Sequence, residues 1–228
     1  MTLSTSSDTL TALTAVKTAF RFPASYAQQR LWFIAQMFPG GSAYNTPVAV
    51  RIQGPLEVDA LHQSFQEIAA RHESLRTTFT MAEGEPQQVI AEEIQLDLPI
   101  MDLRSVLPEN REAEAKAQAE KEAWLPFDLS RGPLIRMKLF RLDEQDHVLV
   151  VTMHHIISDG WSIGVLIREL SLLYTAFSAG KRSPLPDLPI QYVDYTSWQR
   201  DWLRGEFLEQ QVSYWKQQLA DIAPLDMP

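Results

Sequence analysis

The sequence predicts an α/β sandwich. Segments with helical apolar spacing alternate along the chain with β-branched segments of period two, and no internal repeat is present. Of the 228 residues, 45% are hydrophobic, enough to bury a core in one large domain or two small ones.

Residues 1–20 carry no clear period and read as a flexible leader or linker with a short helix at its end. Ala24–Phe38 places Ala27, Leu31, Ile34, Ala35 and Phe38 at helical spacing and stops at Pro39-Gly40-Gly41. Thr46–Gln53 is alternating and β-branched, a strand ended by Gly54-Pro55. Val58, Leu61, Phe65, Ile68 and His72 then form one helical stripe, with Asp59, Gln63, Gln66 and Glu67 off it. Leu75–Met81 and Gln87–Ala91 read as strands on either side of a turn at Gly84. Pro108 opens a helix running to about Leu125, whose mixed Glu and Lys residues read as a solvated face. Leu134–Leu142 and His147–His154 form a hairpin across Asp143–Asp146. A second apolar stripe, Ile163, Ile167, Leu170, Tyr174 and Phe177, ends at Gly180. Beyond a proline-containing loop at Lys181–Pro189, two helices share Gln191–Leu219 and meet near Gly205. The expected organisation is a leader over 1–20, a folded unit over 21–222 and the start of a linker over 223–228.

Composition excludes several functions. With 20 Lys and Arg against 29 Asp and Glu, the net charge is −9, and no basic stripe reverses it locally, so no nucleic-acid partner is expected. Cysteine is absent, which removes thiolate nucleophiles, disulfides and Cys-ligated metals and fits a reducing compartment. The N-terminus lacks the basic start of a secretory signal, and the longest apolar stretch, Val148–Ile157, is far short of the ~20 residues that span a bilayer. A soluble, cytoplasmic protein without membrane partners is expected.

The segment Met153–Ser162 leaves a strand, turns and enters a helix, which is where α/β proteins commonly expose reactive groups. Adjacent residues on a strand point to opposite faces, so His154 and His155 part company and only one of them is a candidate for chemistry. A metal site needs three converging ligands, and neither HExxH nor a His/carboxylate facial set occurs, so no metal is expected. Gly160-Trp161-Ser162-Ile163-Gly164 matches the nucleophile elbow of the hydrolases, whose triad runs in chain order Ser, acid, His. All five histidines precede Ser162, so that triad cannot form, and Ser162 reads as a helix-start residue.

The pattern His-His-x-x-x-Asp-Gly, His154 to Gly160, resembles the signature of nonribosomal peptide synthetase condensation domains, related in fold to chloramphenicol acetyltransferase. Three further blocks follow that family's order: Ser25-Tyr26-Ala27-Gln28-Gln29-Arg30-Leu31-Trp32-Phe33, Arg71-His72-Glu73-Ser74-Leu75-Arg76-Thr77-Thr78-Phe79, and Tyr192-Val193-Asp194-Tyr195-Thr196-Ser197-Trp198. The first resembles elongation-type members joining two L-residues, and the double histidine excludes the heterocyclising relatives, which carry aspartates there. The resemblance covers about residues 22–220 and implies the family's N-terminal lobe, a two-layer sandwich with a mixed sheet flanked by helices. A second, similar lobe completes the reaction channel in the family, so this lobe alone is expected to be inactive.

The reaction so implied is peptide-bond formation between two thioesters, each on the phosphopantetheine arm of a carrier protein, one upstream donor and one downstream acceptor. No cofactor is expected on this chain itself. The resemblance makes His155 the catalytic histidine and Gly160 an oxyanion-binding amide at a helix start. His154, Asp159, Arg71 and Arg76 are expected to support the site, with Asp159 ion-paired to Arg71 or, second, Arg76. Ser25, Gln28, Arg30, Trp161, Ser162, Tyr192, Asp194 and Trp198 are expected to line the channel or hold its motifs. Two other readings stay open. One is a stand-alone acyltransferase using a soluble acyl thioester such as coenzyme A, and the other is a non-catalytic docking lobe.

Overall fold

In the computed structural model, which describes residues 19–223, the chain begins with strand β1 (Ala19–Pro23), helix α1 (Tyr26–Met37), strand β2 (Asn45–Gln53) and helix α2 (Val58–Arg71). A single 3₁₀ turn at Glu73–Arg76 leads into β3 (Thr77–Ala82), β4 (Glu85–Ala91), β5 (Ile100–Asp102) and α3 (Pro108–Trp124). The hairpin β6 (Ile135–Asp143) and β7 (Asp146–His154) is followed by α4 (Gly160–Ser178), α5 (Tyr192–Trp202) and α6 (Gly205–Gln218). The strands form two sheets. One is antiparallel with order β1-β4-β3, and the other has order β2-β7-β6-β5, antiparallel except for the parallel β5–β6 pair. The expected mixed sheet flanked by helices is thus present.

Strand β7 organises the site. It lies between β2 and β6, and both of its faces are covered, so it reads in the sequence as a nearly continuous apolar run. Leu149, Val151 and Met153 enter the main core with Leu61, Phe65 and Ile68 of α2 and Leu166 and Leu173 of α4. Val150, on the opposite face, joins Phe140, Leu142, Leu103 and Ala115 under α3. Only Ala115 of α3 is buried, which agrees with the solvated face expected there.

Three differences from the sequence expectations have local causes. Ala19 and Phe20, inside the expected leader, belong to a strand, because residues 19–23 pair antiparallel with β4; the rest of that leader and the final residues 224–228 lie outside the described residues. Strand β5 has three residues, too few to show a period, and exists through its parallel pairing with Ile135–Asp143. The buried stripe of α4 is Leu166, Glu169, Leu173 and Ala176, whereas Ile167 of the expected stripe is 47% exposed. The other four residues of that stripe, Ile163, Leu170, Tyr174 and Phe177, pack half-buried against the same core, and the carboxylate of Glu169 stands in the fully buried row beside them.

Candidate active site

The end of β7 and the start of α4 build the site. The amide of His154 donates to the Leu134 carbonyl at 3.0 Å, and that of His155 to the Tyr44 carbonyl at 2.8 Å, so β-type pairing holds one residue past the strand. The chain then turns, with Ile157 N–H donating to the His154 carbonyl at 3.1 Å, and Asp159 caps α4.

The two histidines have opposite environments. His154 is 5% exposed, its Nδ1 accepts from the Ile156 amide at 3.1 Å, and its ring meets Phe127 edge-on at 6.1 Å. Burial, helped by repulsion from His155, pushes its pKa down to about 4. His154 is therefore neutral near pH 7. An unfolded chain binds this proton near pH 6.5, so stability from this group is intact above 6.5 and lost as the pH falls towards 4. The expected loss on going from pH 7 to pH 4 is about 2–3 kcal/mol. Urea midpoints across that range should show it, and the slope should flatten in His154→Gln.

His155 is exposed, and its Nδ1 lies 2.7 Å from the Ser158 carbonyl oxygen. A carbonyl only accepts, so Nδ1 carries the hydrogen and the lone pair sits on Nε2. The Tyr44 ring lies within 8° of parallel to the imidazole, with centroids 6.5 Å apart. Neighbouring Gly160 is the first residue of α4, and a Cβ built there meets nothing within 4 Å. Its Cα is thus open to an approaching group, and its amide belongs to the first turn of a helix N-terminus, where partial positive charge collects.

The expected Asp159–arginine pair does not form. Asp159 instead accepts from Ser162 N at 2.8 Å and Ser162 Oγ at 2.6 Å, while its own amide donates to Ser162 Oγ at 3.2 Å, a reciprocal cap on α4. The Ser162 hydrogen bonds hold the Asp159 carboxyl below its usual range, so it stays ionised. Arg71 turns to Glu169 at 3.3 Å, and Arg76 donates to the Ala69 and Ala70 carbonyls at 3.0 and 3.3 Å, closing the end of α2. Asp159 is exposed, so Asp159→Ala removes a cap rather than half of a buried ion pair. The expected cost is about 1 kcal/mol, read as a small drop in urea midpoint.

The remaining motif residues converge in part. Ser25 caps α1, its Oγ lies 3.0 Å from the Tyr192 hydroxyl, and its amide donates to Gln28 Oε1 at 2.9 Å. Gln28 Nε2 reaches Gln88 Oε1 at 3.1 Å and the Ile156 carbonyl at 3.5 Å, and Gln88 donates to the Thr196 hydroxyl at 3.4 Å. A buried polar chain thus ties α1, β4 and α5 to the turn after the two histidines. Asp194 accepts from the Gln191 amide at 2.7 Å and caps α5. Arg30 is exposed on α1, away from this network, and Trp161 and Trp198 are 84% and 55% exposed. Tyr44, Gln88 and Glu169 are not among the site residues expected from the sequence, and Thr196 enters there only as a member of the Tyr192–Trp198 block. Of these only Glu169 leaves a signal there, a charge set among apolar residues on α4. Among the described residues no cluster of three or more His, Asp or Glu side chains could hold a metal, and no helix is long and apolar enough to cross a membrane.

Comparison with known proteins decides the family: residues 20–228 match the family model "Condensation domain". This chain belongs to the condensation-domain family. One of the linear gramicidin synthase proteins of Brevibacillus parabrevis is 48% identical to this condensation domain over 96% of the chain, and chondramide synthase of Chondromyces crocatus is 46% identical over 90%. The chain spans 3% and 5% of those proteins' own lengths. Among solved structures, the X-domain from teicoplanin biosynthesis, in complex with OxyB, is 32% identical with a TM-score of 0.80, over 96% of this chain and 48% of that one. The starter condensation domain of rhizomide synthetase shares the fold, with a TM-score of 0.78 at 20% identity over 90% of this chain and 51% of that one.

Proposed function

We propose that this condensation domain joins two carrier-bound aminoacyl or peptidyl thioesters, with His155 taking the proton from the attacking amine. The observation that carries this reading is the His155 ring itself: exposed and held at Nδ1 by the Ser158 carbonyl, which leaves Nε2 as the nitrogen that can accept a proton.

An α-amino group has a pKa of ~7.7–8, so an appreciable fraction is already nucleophilic near neutral pH. Its nitrogen becomes strongly acidic as it adds to the thioester carbonyl. The C–N bond forms, the carbonyl becomes an oxyanion, and Nε2 of His155 accepts the ammonium proton, an effect typically worth 10²–10⁴-fold. In this reading the oxyanion accepts from the Gly160 amide at the N-terminus of α4, which the open Cα and the helix dipole support. Collapse breaks the C–S bond, and the imidazolium returns its proton to the leaving thiolate. Asp159 stays a helix cap throughout, and phosphopantetheine arrives on the carrier proteins.

Upstream donor and downstream acceptor carriers are the proposed partners, in elongation between L-residues, and a second lobe is the proposed far wall of the channel. The matched structures extend over about twice this chain's span, which supports that arrangement. The acidic, cysteine-free composition supports a cytoplasmic setting.

The test uses the synthetase that carries this domain, with donor presented either on its carrier protein or as a coenzyme A thioester, and intact mass read on the acceptor carrier. Dipeptidyl acceptor from the carrier-bound donor alone is expected. Product from coenzyme A at an equal rate would favour a stand-alone acyltransferase. No product from either donor would leave a docking lobe, a role for which the teicoplanin X-domain, seen with OxyB, offers an analogy.

A further inference from the structure

Beneath the turn that holds His155 lies a cavity of about 170 Å³. It opens to solvent on one side, and most of its wall is apolar, from Ile68 of α2, Leu75 of the 3₁₀ turn, Met153 of β7 and Val165 and Leu166 of α4, with His72, Ser74, Ser158 and Ser162 supplying the polar part. Its volume is about that of a single benzene ring or a branched aliphatic side chain.

Its position ties it to the chemistry. Ser158 lines the cavity, and the Ser158 carbonyl fixes His155 Nδ1 at 2.7 Å, so a single residue separates the hole from the ring. Trp161, 84% exposed, stands at its rim one residue after Gly160. The one titratable side chain on the wall, His72, is engaged by Glu169 at 2.7 Å. No charged partner faces the pocket apart from that engaged pair, so a charged side chain is disfavoured there and apolar groups meet the larger part of the wall.

We propose that this cavity is a side-chain pocket for the condensing thioesters, taking a branched aliphatic group or a single aromatic ring while the reacting carbon lies at His155. The inference rests on His155 being the reactive histidine. One extra methylene in an apolar pocket changes kcat/KM by 10–200-fold at most, which sets the scale of the preference.

The experiment measures kcat/KM in the synthetase that carries this domain for leucyl, phenylalanyl and glycyl substrates, varied first on the donor carrier and then on the acceptor carrier. The wild type is expected to prefer leucyl over glycyl at least tenfold in one arm, which identifies the substrate that enters. Val165→Phe, which fills the cavity, is expected to reduce that ratio below threefold. Ser74→Leu fills it from the half-buried opposite wall and answers the question if Val165→Phe does not fold. Benzene added to the wild-type domain is expected to raise its Tm, with no rise in the filled variant. A leucyl-to-glycyl ratio near one in both arms, or one unchanged by filling, overturns the pocket even where benzene binds. A synthetase that makes no dipeptide from any substrate defeats the condensation reading instead, and the benzene response then decides whether the cavity accepts apolar groups at all.

Discussion

Under the proposed condensation of carrier-bound thioesters, His155→Ala in the full-length protein is expected to cut dipeptide formation by 10²–10⁴-fold while leaving amino-acid loading of both carriers unchanged. The size of the loss separates two roles for the ring. If Nε2 only oriented the amine, a hydrogen-bonding substitute such as Asn would recover most of the rate, because orientation does not require a proton acceptor. If Nε2 takes the proton, His155→Asn stays as slow as His155→Ala, and both variants gain rate at higher pH as solvent base replaces the imidazole. His154 offers the internal comparison. Its ring is buried and its lone pair at Nδ1 is already used by the Ile156 amide, so its removal acts through folding. Single-turnover rates on preloaded carriers give the measurement. A His155→Ala rate within threefold of wild type would remove this ring from the chemistry.

The parts of the fold that could be read from the sequence are those where one element carries its own pattern. The helical stripe of residues 58–71 and the hairpin at residues 135–154 announce themselves through spacing and turn residues, whereas the cap of residues 160–178 is Asp159, expected from the sequence to pair with an arginine. Strand alternation separated His154 from His155, and the structure places the first in packing and the second outside it. The assignment of roles within the motif came from family resemblance, since two adjacent histidines alone do not name a reaction. What stayed hidden depends on partners distant in the chain. Arg71 lies 98 positions from Glu169 and carries no local mark of that choice, so the arginine pairing with Asp159 was misplaced. The Gln28–Gln88–Thr196 chain is equally silent, because three polar side chains far apart in sequence look like three surface residues until the sheets assemble. Strands of three and five residues at sheet edges are too short for alternation to stand out.

Glu169→Ala is expected to be the most damaging single change to stability. Glu169 is 5% exposed in the middle of the buried row of α4, and its two oxygens accept from Arg71 Nε at 3.3 Å and His72 Nε2 at 2.7 Å. Those donors are the last residue of α2 and its C-cap, so the carboxylate joins the end of one core helix to the middle of another. The Arg71 side chain is only 12% exposed, and without the carboxylate its charge is left out of water with no counter-charge. Breaking one side of such a pair costs about 3–5 kcal/mol, against a total folding stability of about 5–15 kcal/mol. Urea unfolding at constant m-value gives the measurement. Replacing both charges separates that penalty from simple loss of packing: Glu169→Leu combined with Arg71→Met removes the stranded cation and is expected to recover at least half of the loss. Because α4 also carries Gly160 at its start, activity in the single variant should fall in step with the folded fraction, and in the double variant it should return with it. A loss below 1 kcal/mol in Glu169→Ala would mean that water reaches Arg71 freely and that the contact contributes no more than an ordinary surface pair.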